Sequence, residues 1–303
     1  MKVCILASGS KGNCAYIETD KTRSLVDLGM SASYISKSLK NIGVDPFSIQ
    51  RVFITHTHSD HVAGLKVFIK KYHPIIYLTE KMDNELDFDI EDKVYIDKTT
   101  VIDDLMVDVF KTSHDVADSN GYVFESNGKS VVYVTDTGYI HVKNFNKLRN
   151  KNMYVFESNH DVRMLKEGRY PYHLQQRILG DKGHLSNKDS AYYLSKLIGD
   201  KTKKIILIHL SEENNKPEVA LKTLLDTLNK NELKHCDFVI SNLKIILDNY
   251  QDPYNKGLVD DKSYIKVNTN NESCIDNLDI YLKIEDNIIK DITFFGEACA
   301  IST

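Results

Sequence analysis

The segment RVFITHTHSDHVAG, residues 51–64, joins an apolar run to a dense group of metal-ligating side chains. Residues 52–54 are β-branched or aromatic, which is typical of a buried strand. Three imidazoles and one carboxylate follow within six positions, at His56, His58, Asp60 and His61. Histidine and aspartate are ligands for divalent transition metals. Because strand geometry places the first two on one side and a following helix turns the other two away, the segment predicts two ligand pairs for two neighbouring metals.

The rest of the chain alternates strand and helix signals. Apolar runs and period-two alternation predict strands at residues 2–6, 14–19, 75–78, 93–96, 105–111, 121–126 and 130–134. Helical spacing predicts helices at residues 31–42, 62–71 and 217–229. Helices combined with many antiparallel hairpins favour a layered α/β sandwich over a purely parallel sheet. The length of 303 residues fits one large domain followed by a small one.

The motif HTHSDH resembles the HxHxDH signature of the metallo-β-lactamase fold hydrolases. The resemblance implies an αββα sandwich and further metal-site residues in a fixed order along the chain. This sequence has them in that order, at Asp27, His114, Asp136 and His209. It implies that one metal is held by His56, His58 and His114 and the other by Asp60, His61 and His209. Asp136 would bridge the metals, and Asp27 would orient the metal-binding loop from behind.

Longer phrases narrow the resemblance to the WalJ/YycJ branch of this family. They are ITHTHSDH, SHDVADSNGY, FESNHDVRML, ILGDKGHLSN and LIHLSEENN, and the likeness covers most of residues 1–247. It implies a phosphodiesterase with two divalent metals, Zn or Mn, that acts as an exonuclease on DNA rather than RNA. In such a reaction the metals activate the attacking water, and Asp60 would also orient that water.

The phrase GHLSNKDSA, followed about twenty residues later by IILIHLS, is similar to the ribonuclease Z pattern. That resemblance implies that His184 lies beside the scissile phosphate and donates a proton to the leaving oxygen. The polar segment around it predicts a rim that binds substrate through Asn159, His160, Ser186 and Asn187. Ser186, with Asp189 three residues on, also has the spacing of a helix cap.

Positive charge is concentrated in one part of the chain. The net charge is −4, yet residues 143–188 hold ten Lys or Arg against four Asp or Glu. Such a basic stretch predicts an anionic partner, nucleic acid first, with Arg163, Lys166 and Arg169 as phosphate contacts. The alternative is a solvated helical face, which is the usual role of a run of charges.

The composition bears on the cellular compartment. No apolar run approaches 18 residues, and the N-terminal sequence lacks the pattern of a signal peptide, so we expect no membrane span. The five cysteines are odd in number and widely spread, which predicts a reducing cytoplasm and no disulfide framework.

The last sixty residues, from about 243, resemble the N-terminal part of the NifU/SufU-type iron-sulfur scaffolds. We therefore divide the chain into residues 1–247, the hydrolase domain, and 248–303, a small α+β segment. The resemblance implies an iron-sulfur or zinc site at Cys274, Asp276 and Cys299. Ile275 replaces the usual glycine, and the third cysteine of the pattern is absent from the sequence. A segment without a functional site is therefore the alternative.

Several other functions fit parts of the sequence. A β-lactam, a thioester or a cyclic nucleotide could be the substrate of the same centre. The basic segment and the HLSN phrase favour phosphate diesters over these. The chain could instead act in iron-sulfur assembly with partner proteins through its C-terminal segment, with the sandwich as a partner module.

Overall fold

The structure, a computed structural model, describes residues 1–231, 237–240, 264–271, 276–285 and 288–297. The chain divides into two units, Met1–Asn242 and Leu243–Thr303. The predicted boundary at residues 247 and 248 lies outside the described residues and stays a prediction.

The first sheet of the larger unit contains six strands in sequence order. They are β1 (Lys2–Ala7), β2 (Cys14–Glu18), β3 (Arg23–Val26), β4 (Arg51–Phe53), β5 (Ile75–Leu78) and β6 (Lys93–Tyr95). The first three strands pair antiparallel, and β3 to β6 pair parallel.

The second sheet contains seven strands. They are β7 (Thr100–Ile102), β8 (Leu105–Lys111), β9 (Asn120–Ser126), β10 (Lys129–Val134), β11 (Met153–Glu157), β12 (Lys204–Ile208) and β13 (Asp237–Ile240). The strands from β7 to β10 pair antiparallel, and those from β10 to β13 pair parallel. Each sheet therefore has a parallel part whose carboxyl ends meet at one edge, where loops can carry a site.

Helices connect the strands of both sheets. They are α1 (Ala32–Asn41), α2 (Ser59–Val62), α3 (Leu65–Tyr72), α4 (Glu80–Glu85), α5 (Phe145–Leu148), α6 (Val162–Glu167), α7 (Tyr172–Leu179), α8 (Asn187–Leu197) and α9 (Pro217–Lys230). Short 3-10 helices lie at Pro46–Ser48 and Val142–Asn144. No helix among the described residues is long and apolar enough to cross a membrane.

Three hydrophobic clusters show that the layers are stacked helix, sheet, sheet, helix. The strand β4 illustrates the alternation, because Val52 joins the cluster under α1 and α3 whereas Phe53 joins the cluster between the sheets. The Phe53 ring lies 4.8 Å from that of Tyr77 in its own sheet and 5.3 Å from that of Phe124 in the other. A third cluster packs the second sheet against α8 and α9. The predicted αββα sandwich is confirmed.

The predicted helix over residues 62–71 is wrong in its extent. The structure has two helices, α2 and α3, that meet at Gly64. The Gly64 N–H donates to the Leu28 carbonyl, and a Cβ at Gly64 would overlap the Met30 carbonyl oxygen. The break therefore lets the metal-binding turn pack against the segment after β3.

The smaller unit is described only in part. Its strands β14 (Tyr264–Asn271), β15 (Asp276–Glu285) and β16 (Ile288–Glu297) form an antiparallel sheet with β15 in the centre. Asp276 begins β15, whereas Cys274 and Cys299 lie outside the described residues.

Candidate metal centre

Side chains with ligand chemistry collect where strands of both sheets end. They are Asp27 after β3, His56 after β4, His114 after β8, Asp136 after β10, Glu157 at the end of β11 and His209 after β12. Asp27, Asp136 and His209 have φ values of 60°, 48° and 57°. Non-glycine residues rarely adopt this left-handed backbone, and such conformations cluster at functional sites.

One group of nitrogen ligands consists of His56, His58 and His114, whose donor atoms lie within 4.8 Å of one another. His58 Nδ1 and His114 Nε2 lie 3.1 Å apart. Two nitrogens bound at about 2.0–2.1 Å to one tetrahedral metal would be about 3.3 Å apart. The spacing of the two imidazoles therefore fits a shared ion.

A second group consists of Asp60, His61 and His209, again with donor atoms within 4.8 Å of one another. Asp136 lies between the groups. One carboxylate oxygen is 3.2 Å from His61 Nε2, and the other is 3.8 Å from His114 Nε2. Asp136 is therefore placed to contact ions in both groups, and the structure brings all seven predicted ligands together.

Asp27 is fully buried behind the ligand turn of residues 56–61. Its carboxylate accepts hydrogen bonds from the Thr55 N–H and hydroxyl, both 2.8 Å long, and from His61 Nδ1 at 2.8 Å. When a carboxylate accepts the Nδ1–H of an imidazole, the lone pair of Nε2 is free to bind a metal. The predicted place of Asp27 behind the ligand loop matches these contacts.

Glu157 has the same relation to the second sheet, and the sequence reasoning did not include it among the site residues. Its Oε1 accepts from His184 Nδ1 at 2.7 Å and from His209 Nδ1 at 3.0 Å. Its Oε2 accepts from the Thr137 N–H at 2.9 Å. One buried carboxylate thus orients two histidines at once.

Three buried imidazole nitrogens have no hydrogen-bond partner among the described residues, namely Nε2 of His56, of His160 and of His209. His56 and His209 belong to the ligand groups. A buried polar atom without a partner is costly, and a bound cation would satisfy both nitrogens. The donor set of imidazoles and carboxylates therefore fits divalent metals of the zinc or manganese type.

The charges of the centre favour a cation. Burial lowers the pKa of His209, but the neighbouring carboxylates of Asp136, Asp60 and Glu157 outweigh it and raise the pKa to about 10. Burial, with a smaller contribution from His61, holds the pKa of His56 well below its usual value. The carboxylates thus favour positive charge beside His209, and a bound cation supplies that charge in place of the proton, while His56 is neutral, as a metal ligand must be.

The glycine-rich loop between β1 and β2 supports the ligand turn. Asn13 Nδ2 lies 2.9 Å from His61 Nε2 and 3.3 Å from Asp60 Oδ2. The Gly29 N–H donates to the Asn13 carbonyl, and a Cβ at Gly29 would overlap the Asp60 carbonyl oxygen. The loop thus contacts the metal centre directly.

A pocket of about 260 Å³ opens on the centre. His58, Asp60, His114, Asp136 and His209 line it, and so does His184, the predicted proton donor. Residues from the segment after α6 also line it, namely Tyr170, Leu174, Arg177, Ile178 and Lys182.

The predicted substrate residues divide into two sets. Asn159 lines the pocket, and its amide donates to the His209 carbonyl at 3.1 Å. His160, Ser186 and Asn187 are buried and do not line it. Ser186 caps α8 by accepting from the Asp189 N–H, as predicted, and Asn187 bonds to Ser158 and Asn215. These contacts give Ser186 and Asn187 roles in folding.

The predicted basic residues lie away from the pocket lining. Arg163 is exposed on α6 and pairs with Glu167 at 3.0 Å. Lys166 and Arg169 are also exposed and do not line the pocket. The basic side chains that do line it, Arg177 and Lys182, come from farther along the same segment.

A sandwich that carries histidines and carboxylates at the strand ends of both sheets defines a metal-dependent hydrolase fold, and the sequence profile of the metallo-beta-lactamase superfamily matches residues 7–207. The chain belongs to this superfamily. Within it, the exodeoxyribonuclease WalJ of Streptococcus pneumoniae is 40% identical over 241 residues, which cover 77% of this chain and 90% of that protein.

A solved structure supports the fold. The metallo-beta-lactamase fold protein YhfI from Bacillus subtilis matches with a TM-score of 0.60 at 16% identity and covers 79% of this chain and 95% of that chain.

The C-terminal segment has its own relatives. The NifU-like N terminal domain profile matches residues 242–303. The zinc-dependent sulfurtransferase SufU of Bacillus subtilis is 39% identical over 59 residues, which cover 20% of this chain and 39% of that protein. The predicted resemblances to the WalJ/YycJ branch and to NifU/SufU are both confirmed.

Proposed function

We propose that this chain is a phosphodiesterase with two divalent metals that degrades DNA from its ends. The observation that carries the proposal is the cluster of seven ligand side chains, Asp136 among them, in a chain 40% identical to an exodeoxyribonuclease. The fold alone would also suit small-molecule hydrolysis of a lactam, thioester or cyclic nucleotide, but no observation favours these substrates.

The metals would be held as the two groups suggest, with Asp136 shared between them. His56, His58 and His114 would hold one ion, and Asp60, His61 and His209 would hold the other. Bound there, two divalent ions supply an activated water and neutralise charge on the phosphate. Zn and Mn both suit this donor set.

The role proposed for His184 is proton donation to the leaving oxygen. Its Nδ1 is held by Glu157 at 2.7 Å, so Nε2 is the nitrogen free to give up a proton. The ring lines the pocket and is half-buried, within reach of substrate. The buried carboxylate of Glu157 thereby fixes the orientation of the ring toward the pocket. Asp60, which also lines the pocket, would orient the attacking water.

The C-terminal segment is proposed to be dispensable for this reaction. Cys274, Asp276 and Cys299 offer at most three ligands, whereas closed zinc and cluster sites generally have four. Iron-sulfur or zinc binding with a partner protein is the other role its relatives suggest. The cytoplasmic location remains a prediction from the cysteine pattern.

The test is digestion of end-labelled DNA and RNA by the purified chain with added Zn or Mn, together with metal analysis. We expect two metals per chain and stepwise shortening of DNA. The exposed His73 provides a control, because His73→Asn keeps its left-handed backbone and leaves the centre untouched. Turnover of small lactams or thioesters without DNA cleavage would contradict the proposal.

A further inference from the structure

The pocket has a second kind of lining besides the metal ligands. Tyr170, Leu174 and Ile178 contribute apolar surface from the segment that contains α7. Helix α7 has no fully buried residue, and neither Leu174 nor Ile178 belongs to the three hydrophobic clusters. The hydrophobic core therefore does not account for these apolar side chains. The Tyr170 ring is half-buried and makes no contact with another aromatic ring in the described part of the chain.

Two cations lie beside this apolar surface. Arg177 Nε donates to Asp115 Oδ2 at 2.5 Å, and the other oxygen of Asp115 lies 3.5 Å from Nε2 of both His58 and His114. Arg177 is therefore fixed near the metal ligands. Lys182 also lines the pocket and forms no ion pair with the described residues.

We propose that Tyr170, with Leu174 and Ile178, forms the wall on which the unpaired terminal base of the DNA stacks. The inference rests on the proposed function, because a scissile phosphate at the ligands places the attached nucleoside in this pocket. Bases of any sequence stack on aromatic rings, and cations alongside hold the backbone. Arg177 and Lys182 supply those cations.

The size of the pocket also supports a single terminal base as its occupant. Its volume of about 260 Å³ is slightly below the roughly 300–1,000 Å³ of most small-molecule pockets. A single nucleotide is a ligand of this class, whereas a base pair with its two backbones is larger. The volume therefore suits one nucleotide with an unpaired base at the reacting end.

The test pairs removal of the ring with removal of the base. Wild type, Tyr170→Ala, Tyr170→Phe and Tyr172→Ala digest two single-stranded oligonucleotides, one with a normal terminal nucleotide and one with an abasic terminal residue. Tyr172 is the matched control, because it is exposed and does not line the pocket. The measured quantity is the ratio of kcat/KM for the two substrates.

We expect wild type, Tyr170→Phe and Tyr172→Ala to lose roughly 5- to 150-fold on the abasic end, the range that base stacking on aromatic rings provides. Tyr170→Ala should cut the normal and the abasic end at nearly the same rate, which is lower than the wild-type rate on the normal end. An unchanged ratio in Tyr170→Ala, or wild type that cuts both ends equally fast, overturns this inference alone. Wild type that cuts neither oligonucleotide overturns the proposed function and this inference with it.

Discussion

The first sheet supplies four metal-ligating side chains from one turn of six residues, whereas the second sheet supplies its three from the ends of three separate strands. Each set is backed by one buried carboxylate, Asp27 on the first sheet and Glu157 on the second. One half of the centre is therefore a local sequence motif, whereas the other half is assembled only when the fold brings three strand ends together. Local ligands can be found by spacing, but dispersed ones need a fold.

The largest effects should come from the ligands themselves, whichever sheet carries them. We expect His58→Ala and Asp136→Asn each to reduce DNA hydrolysis to background, because both residues lie in the ligand groups. Asp136→Asn should lose more bound metal, since Asp136 lies between the groups. Metal content and activity measured on the same samples check this. Full nuclease activity in either variant at matched metal occupancy would contradict the two-metal proposal.

His184 tests whether the second sheet adds chemistry beyond metal binding. His184→Ala should lower kcat by roughly 100- to 10,000-fold, the usual contribution of general acid-base catalysis. Metal content should remain that of wild type. Loss of an ion from this variant would make His184 a ligand instead.

The two buried carboxylates sharpen the comparison between the sheets. Residues that orient metal ligands typically contribute 10- to 100-fold in metal affinity or activity. Asp27→Asn should therefore weaken metal binding about 10- to 100-fold. Glu157→Gln should also lower kcat at saturating metal, because Glu157 holds His184 as well as His209.

Titration with Zn or Mn followed by single-turnover digestion separates these two carboxylates. Glu167→Gln, on an exposed ion pair, serves as the control. Identical behaviour of Asp27→Asn and Glu157→Gln would show that Glu157 acts on the metals alone.

The salt dependence of binding tests which cationic side chains of the segment after the strand β11 contact DNA. Each neutralised phosphate contact should reduce the log-log salt slope on duplex DNA by about 0.9. Neutralising Arg177 and Lys182, which line the pocket, should flatten the slope more than neutralising Arg163, Lys166 and Arg169. Equilibrium binding between low and moderate salt measures both. A larger effect from Arg163, Lys166 and Arg169 would support the phosphate contacts predicted from the sequence.

The smallest effect is expected from the C-terminal segment. Deletion of residues 251–303 should leave nuclease activity near that of the full chain, and anaerobic reconstitution of the full chain with iron and sulfide should give no stable chromophore. Visible absorption is the measurement. A stoichiometric cluster that disappears in Cys274→Ala would show that the segment binds one by itself.

The sequence predicted the turn at residues 56–61 and the sandwich because both depend on short-range patterns. A dense cluster of histidines is rare, and alternating apolar residues such as Val52 and Phe53 report their own burial. The later ligands His114 and His209 could be assigned only through the resemblance, since each alone is an ordinary residue after a strand.

The residues that escaped prediction share one property, which is that their partners are far away in sequence. Glu157 is one of many acidic residues, and only its distances to His184 and His209 mark it. Arg177 looked no different from Arg163 until α7 placed it at the pocket. The break at Gly64 depends on the distant Leu28 carbonyl, which accepts the Gly64 N–H in place of a helical carbonyl.

The left-handed backbone at Asp27, Asp136 and His209 has a consequence for thermal tolerance. Each such residue costs about 1–3 kcal/mol, in domains whose net stability is only about 5–15 kcal/mol. A ligand that binds the folded state but not the unfolded state offsets such a cost. Chelation should therefore lower the melting temperature markedly, because it removes the ions and leaves the backbone cost without compensation. A search for heat-resistant variants under chelating conditions would select against the enzyme's own function.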